Sequence, residues 1–76
     1  MHIKPNINIA NFLKQVQKCS AEVLFETTEG DRIALKSTLS QYIFCTIAST
    51  PKLLRSGTVR FENEKDRLLL SDFLDE

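Results

Sequence analysis

Ile9, Phe12, Leu13 and Val16 recur at three- and four-residue intervals, the apolar stripe of an amphipathic helix. Asn8 is placed to cap that helix, Ile7 and Phe12 can form a hydrophobic staple across its start, and Lys14 and Lys18 lie toward its negative end. The spacing predicts a helix over residues 8–19. From Ala21 the period changes to two, and the polar stretch Thr27-Thr28-Glu29-Gly30-Asp31 reads as a hairpin loop. One register matches both faces of this hairpin. Val23 falls opposite Leu35 and Phe25 opposite Ile33 on one side, while Glu22 falls opposite Lys36 and Glu26 opposite Arg32 on the other. Leu24 and Ala34 lie among the charges, on the face that a single layer of helices leaves open.

Ser37 follows the second strand and is positioned to cap a helix over residues 38–48, which bears Leu39, Tyr42, Ile43 and Ile47 and stops at Ser49-Thr50-Pro51. Leu53 and Leu54 precede a turn at Ser56-Gly57. A third strand over residues 58–62 then alternates, with Val59 and Phe61 inward. Asn63 caps a last helix with Glu64 and Asp66 in its first turn and an apolar face of Leu69, Leu70, Phe73 and Leu74. Asp75 and Glu76 oppose the dipole at its end, so that end should fray. The element order is αββαβα, an α+β domain with an antiparallel sheet of about three strands and helices on one face.

Composition narrows the picture. Seventy-six residues make one domain, and at this length a core buries only about 60–65% of the unfolded chain's surface. Ten Lys plus Arg balance ten Asp plus Glu, so no global field draws the chain to a phosphate backbone or an anionic membrane, and neither is expected as a partner. No apolar run approaches the ~18 residues of a spanning helix, and Met1-His2-Ile3-Lys4-Pro5 lacks the core of a signal peptide. A soluble cytoplasmic protein is expected. Cys19 and Cys45 have no C-x-x-C partner, so neither a zinc site nor a redox motif has its ligands, and apolar neighbours at helical spacing suggest that both are buried thiols.

Catalytic material is thin. The single histidine is His2, Glu22 and Glu26 have cross-strand basic partners, and the two glycines, Gly30 and Gly57, are each explained by a turn rather than a phosphate loop. No catalytic residue, metal site or cofactor is expected.

The order αββαβα, with the stretch Val23-Leu24-Phe25-Glu26, the Gly30 turn and Ile33-Ala34-Leu35-Lys36-Ser37, resembles the histidine-containing phosphocarrier (HPr) family of the bacterial sugar phosphotransferase system. The likeness runs from about Phe12 to Phe73. It implies an open-faced sandwich and a bacterial cytoplasmic protein. Ser37 falls on the position that a dedicated kinase phosphorylates in Gram-positive members, and a phosphate there would meet free N–H groups of a helix start with Lys36 adjacent. Thr38, Leu39 and Tyr42 match the positions of the family's protein-docking patch. The chain departs from the pattern in two respects. The family's first strand is missing, and its active-site segment falls on Pro5-Asn6-Ile7-Asn8, which holds neither His nor Arg.

The expectation is therefore a non-catalytic, HPr-like protein-binding or regulatory module, open to control at Ser37. The alternatives are a phosphoryl carrier using His2, and a purely structural assembly subunit. Residues 1–6 are expected to be flexible, with His2 disordered. In the family the last strand lies between the first and the second, so loss of the first leaves Thr58, Val59, Arg60, Phe61 and Glu62 as a bare edge, a template for a weak homodimer. The competing solution is that residues 1–5 fold back over that edge as a rudimentary strand.

Overall fold

In the computed structural model, which describes residues 1–75, the chain enters the core at once. His2–Ile3 forms β1, and Ile3 is fully buried. Of the six residues expected to be flexible, Ile3 lies in the core, whereas Pro5 and Asn6 are exposed. Met1 carbonyl accepts from Val59 N–H at 2.8 Å, and Lys4 N–H donates to Phe73 carbonyl at 2.9 Å. Asn6 turns the chain in the left-handed region, φ 62°, which a short amide side chain tolerates.

Helix α1, Ile9–Gln17, begins as its sequence predicts, with Asn8 Oδ1 accepting from Asn11 N–H at 3.0 Å. Phe12 and Val16 are its buried residues. Strands β2, Val23–Glu26, and β3, Arg32–Ala34, pair antiparallel in the register matched above, Phe25 facing Ile33 and Glu26 facing Arg32. Glu26 pairs with Arg32 at 2.8 Å and also with Arg60. Glu22 differs from expectation. Its carboxylate accepts the backbone N–H of Lys36 at 3.1 Å, while the Lys36 ammonium donates to Cys19 carbonyl at 2.6 Å.

Helix α2, Thr38–Ala48, has the expected bounds; its buried residue is Phe44, whereas Leu39, Tyr42 and Ile43 face solvent. Pro51 not only stops α2 but opens a further helix, α3, Pro51–Ser56, because proline suits a first helical turn as well as an end. Strand β4, Thr58–Phe61, pairs with β2, giving a three-stranded sheet of order β3-β2-β4.

The closing segment is not one helix. A 3₁₀ turn, Glu64–Asp66, leads into a single α-turn, α4, Arg67–Leu70, then a second 3₁₀ turn and strand β5, Leu74–Asp75. Strand β5 pairs antiparallel with β1, Leu74 facing Ile3, so the expected frayed end is a strand instead; Glu76 lies outside the described residues. Burial explains the change, since pairing places Leu74 in the core beside Ile3 and Leu70. Among the described residues the result is a small compact α+β domain with four helices and two antiparallel sheets. Phe44 ties its layers together, with ring centroids 5.8 Å from Phe12 on α1 and 5.2 Å from Phe25 on β2.

Candidate functional site

The chain enters α2 through Leu35-Lys36-Ser37, and this connection is tied down on every side. Leu35 N–H donates to Val23 carbonyl at 2.8 Å, and Ser37 N–H to Ala34 carbonyl at 3.1 Å. Side-chain amides take two of the carbonyls: Gln41 Nε2 donates to Leu35 and Gln17 Nε2 to Lys36, at 3.0 and 3.1 Å. Ser37 itself is exposed and extended at the N-cap, but its side chain makes no capping hydrogen bond. The hydroxyl expected to cap the helix is therefore available to react. Lys36, expected to stand beside a phosphate at Ser37, points instead to Cys19 carbonyl on the α1 side.

From this fixed start, α2 presents Leu39, Tyr42 and Ile43 at i, i+3 and i+4, exposed by 73%, 71% and 50%. Thr38, Cys45 and Thr46 are exposed beside them. Cys45 is thus a surface thiol, contrary to expectation, while Cys19 is buried, and both are free. Burial is the main cause that pushes the Cys19 thiol above its ordinary value, with Asp66 adding to it. No charged residue occurs between Ser37 and Pro51. The exposed charges on the flanking helices are all basic: Lys14 on α1, Lys18 at its end, and Lys52 and Arg55 on α3. The acids lie elsewhere, in the β2–β3 hairpin with Glu22 and in the segment from Glu62 onward. A net charge of zero therefore hides an uneven distribution, an apolar uncharged helix between basic ones.

The remaining expected residues fall apart from this face. His2 is half-buried, and its Nδ1 lies 2.7 Å from Gly57 carbonyl, which assigns the proton to Nδ1. Thr58, Val59, Arg60, Phe61 and Glu62 form the outer strand and its exit, with Met1 folded against Val59. Among the described residues no group of three His, Cys, Asp or Glu side chains could hold a metal ion.

Sequence reasoning missed Asp66. Its buried carboxylate accepts Ser20 N–H at 3.0 Å, Ala21 N–H at 3.1 Å and the Ser20 hydroxyl at 3.1 Å. The backbone N–H of Ser20 is the main cause that holds its pKa below the usual value; Ala21, the Ser20 hydroxyl and the Lys36 charge act in the same direction, against the opposing effect of burial. This is a structural clasp between the end of α1 and the closing segment. Its role was invisible because Asp66 also reads as an ordinary first-turn acid. Comparison of the chain with family models, curated proteins and solved structures finds no significant match.

Proposed function

We propose that the chain is a non-catalytic, HPr-like docking or regulatory module whose contact surface is the exposed side of α2. The observation that carries this reading is the row Leu39, Tyr42 and Ile43, presented to solvent from a helix whose entry is held by hydrogen bonds to Val23, Glu22 and Gln17. Large apolar side chains held in water by a rigid frame are the usual anchors of a protein interface. The basic flanks specify the complement: a protein surface with an apolar centre and an acidic rim. Three strands, in the order β3-β2-β4, follow the order that the resemblance implies for them, whereas β1 pairs with β5 in a separate sheet.

Ser37 supplies the control point. A phosphate there would add negative charge at the edge of the face, and an acid-rimmed partner would be repelled. The alternative of a phosphoryl carrier at His2 asks the ring to leave Gly57 carbonyl, to which Nδ1–H is bonded. Both readings meet in one experiment. Leu39→Asp and Tyr42→Ser should abolish capture of the native partner while leaving the fold intact, and incubation with phosphoenolpyruvate and the general phosphotransferase enzyme should add no acid-labile phosphate to the chain. Labelling at His2, or a partner retained by both variants, would refute the proposal.

A further inference from the structure

Strand β4 has one side paired and one side partly open. Glu62 N–H donates to Glu22 carbonyl, and Arg60 faces Leu24, so the alternation of an antiparallel ladder turns the backbone groups of Val59 and Phe61 away from β2. Val59 N–H is taken by Met1. The outward N–H and C=O of Phe61 have no partner among the described residues. Beside them lies an open groove of about 340 Å³, lined by Met1, Arg60, Phe61, Glu64 and Arg67 among others.

We infer that this open end pairs with the same edge of a second copy, antiparallel and two-fold symmetric about Phe61. In that register the two Phe61 residues exchange both backbone hydrogen bonds, and the two three-stranded sheets become continuous. Charge selects the register. Arg60 and Glu62 are both exposed and project from the face opposite Val59 and Phe61. With Phe61 opposite its own copy, each Arg60 lies opposite a Glu62 in the closely spaced, non-hydrogen-bonded position. A shift by one pair in either direction would set Arg60 against Arg60 or Glu62 against Glu62, and both are repulsive. Met1 limits the contact, because it already covers Val59. The paired segment is short and its area lies well below the ~1,200 Å² of a stable complex, so association belongs in roughly the high-micromolar to millimolar range.

The test is a dilution series of the full chain by heteronuclear NMR and sedimentation, from about 50 μM to about 2 mM, which brackets that range. Amide signals of Arg60, Phe61 and Glu62 should shift with concentration while Val59, bonded to Met1, stays still. Arg60→Glu and Glu62→Arg should each remain monomeric, and their equimolar mixture should associate at least about tenfold more tightly than either alone, since mixing restores both opposite-charge pairs. Arg60 also pairs with Glu26. If Arg60→Glu fails to fold, Glu62→Arg alone must remove the concentration dependence. A parent that is monomeric throughout, a mixture no better than its components, or concentration-dependent shifts confined to α2 would each overturn the inference.

Discussion

Replacement of Gly57 by alanine sets two effects of opposite sign against each other. Gly57 has φ −76° and ψ 167°, a conformation open to any residue, so relief of unfolded-chain entropy alone would make Gly57→Ala stabilising by about 0.4–1 kcal/mol. Packing says the reverse. A Cβ at this position would stand 2.1 Å from Phe25 Cζ and 2.6 and 2.8 Å from its two Cε atoms. That ring cannot retreat freely, because Phe25 is fully buried and meets Phe44 edge-on at 5.2 Å. Overpacking of a filled core costs about 1–3 kcal/mol, and here the displaced backbone also carries the acceptor of His2. The packing cost wins, for a net destabilisation of about 1–2 kcal/mol and a fall in Tm of roughly 4–16 °C in a domain of this size. Urea titration followed by circular dichroism measures it. In a Phe25→Leu background the same substitution should cost at least about 1 kcal/mol less, the coupling expected of residues in contact. A Gly57→Ala protein as stable as the parent would refute the close packing of the turn between α3 and β4 on the Phe25 ring.

Three further outcomes follow from particular side chains. Ser37→Ala should change stability by less than about 0.5 kcal/mol, since no capping bond is lost, whereas a working cap would cost about 1 kcal/mol; chemical denaturation separates the two. Asp66 has a folded pKa below its ordinary 3.8, so its contribution to stability is present above that value and is lost as pH falls through 3.8 and then through the lower folded value. Asp66→Asn should therefore lower stability at neutral pH and make it decline less steeply below pH 3.8 than in the parent; an unchanged acid limb would contradict the clasp. Under native conditions a thiol reagent should modify Cys45 at once and Cys19 only on unfolding, with intact mass recording one adduct and then two.

The legibility of the sequence varied with the contrast between its apolar and polar positions. The hairpin could be read to the residue because charge and apolar side chains alternate there, and a slip by one would have put Glu26 in the core and Phe25 in water. Helix α2 gave its bounds but not its inner face. With no charged residue from Ser37 to Pro51, Phe44 and the row of Leu39, Tyr42 and Ile43 are equally good candidates for burial, and contact with Phe12 and Phe25 decides between them. The closing segment misled because Leu68-Leu69-Leu70 fits any helical phase; pairing of Leu74 with Ile3, distant in sequence, overrides that local preference. Strand β1 spans only two residues, too few for any period to show. Of the expected contact residues, Thr38, Leu39 and Tyr42 are exposed together on one surface, whereas the basic flanks became visible only when the helices were placed side by side.

The central claim is that the uncharged side of α2 receives a protein partner. Photo-crosslinking in the native cell tests it most directly, with a benzophenone side chain placed in turn at Leu39, Tyr42 and, on the hairpin loop, Thr28. Leu39 and Tyr42 should trap the same protein, Thr28 should not, and Tyr42→Ser should remove the product formed from Leu39. A partner trapped only from Thr28, or from Leu39 regardless of the Tyr42 substitution, would contradict the assignment of α2 as the docking surface.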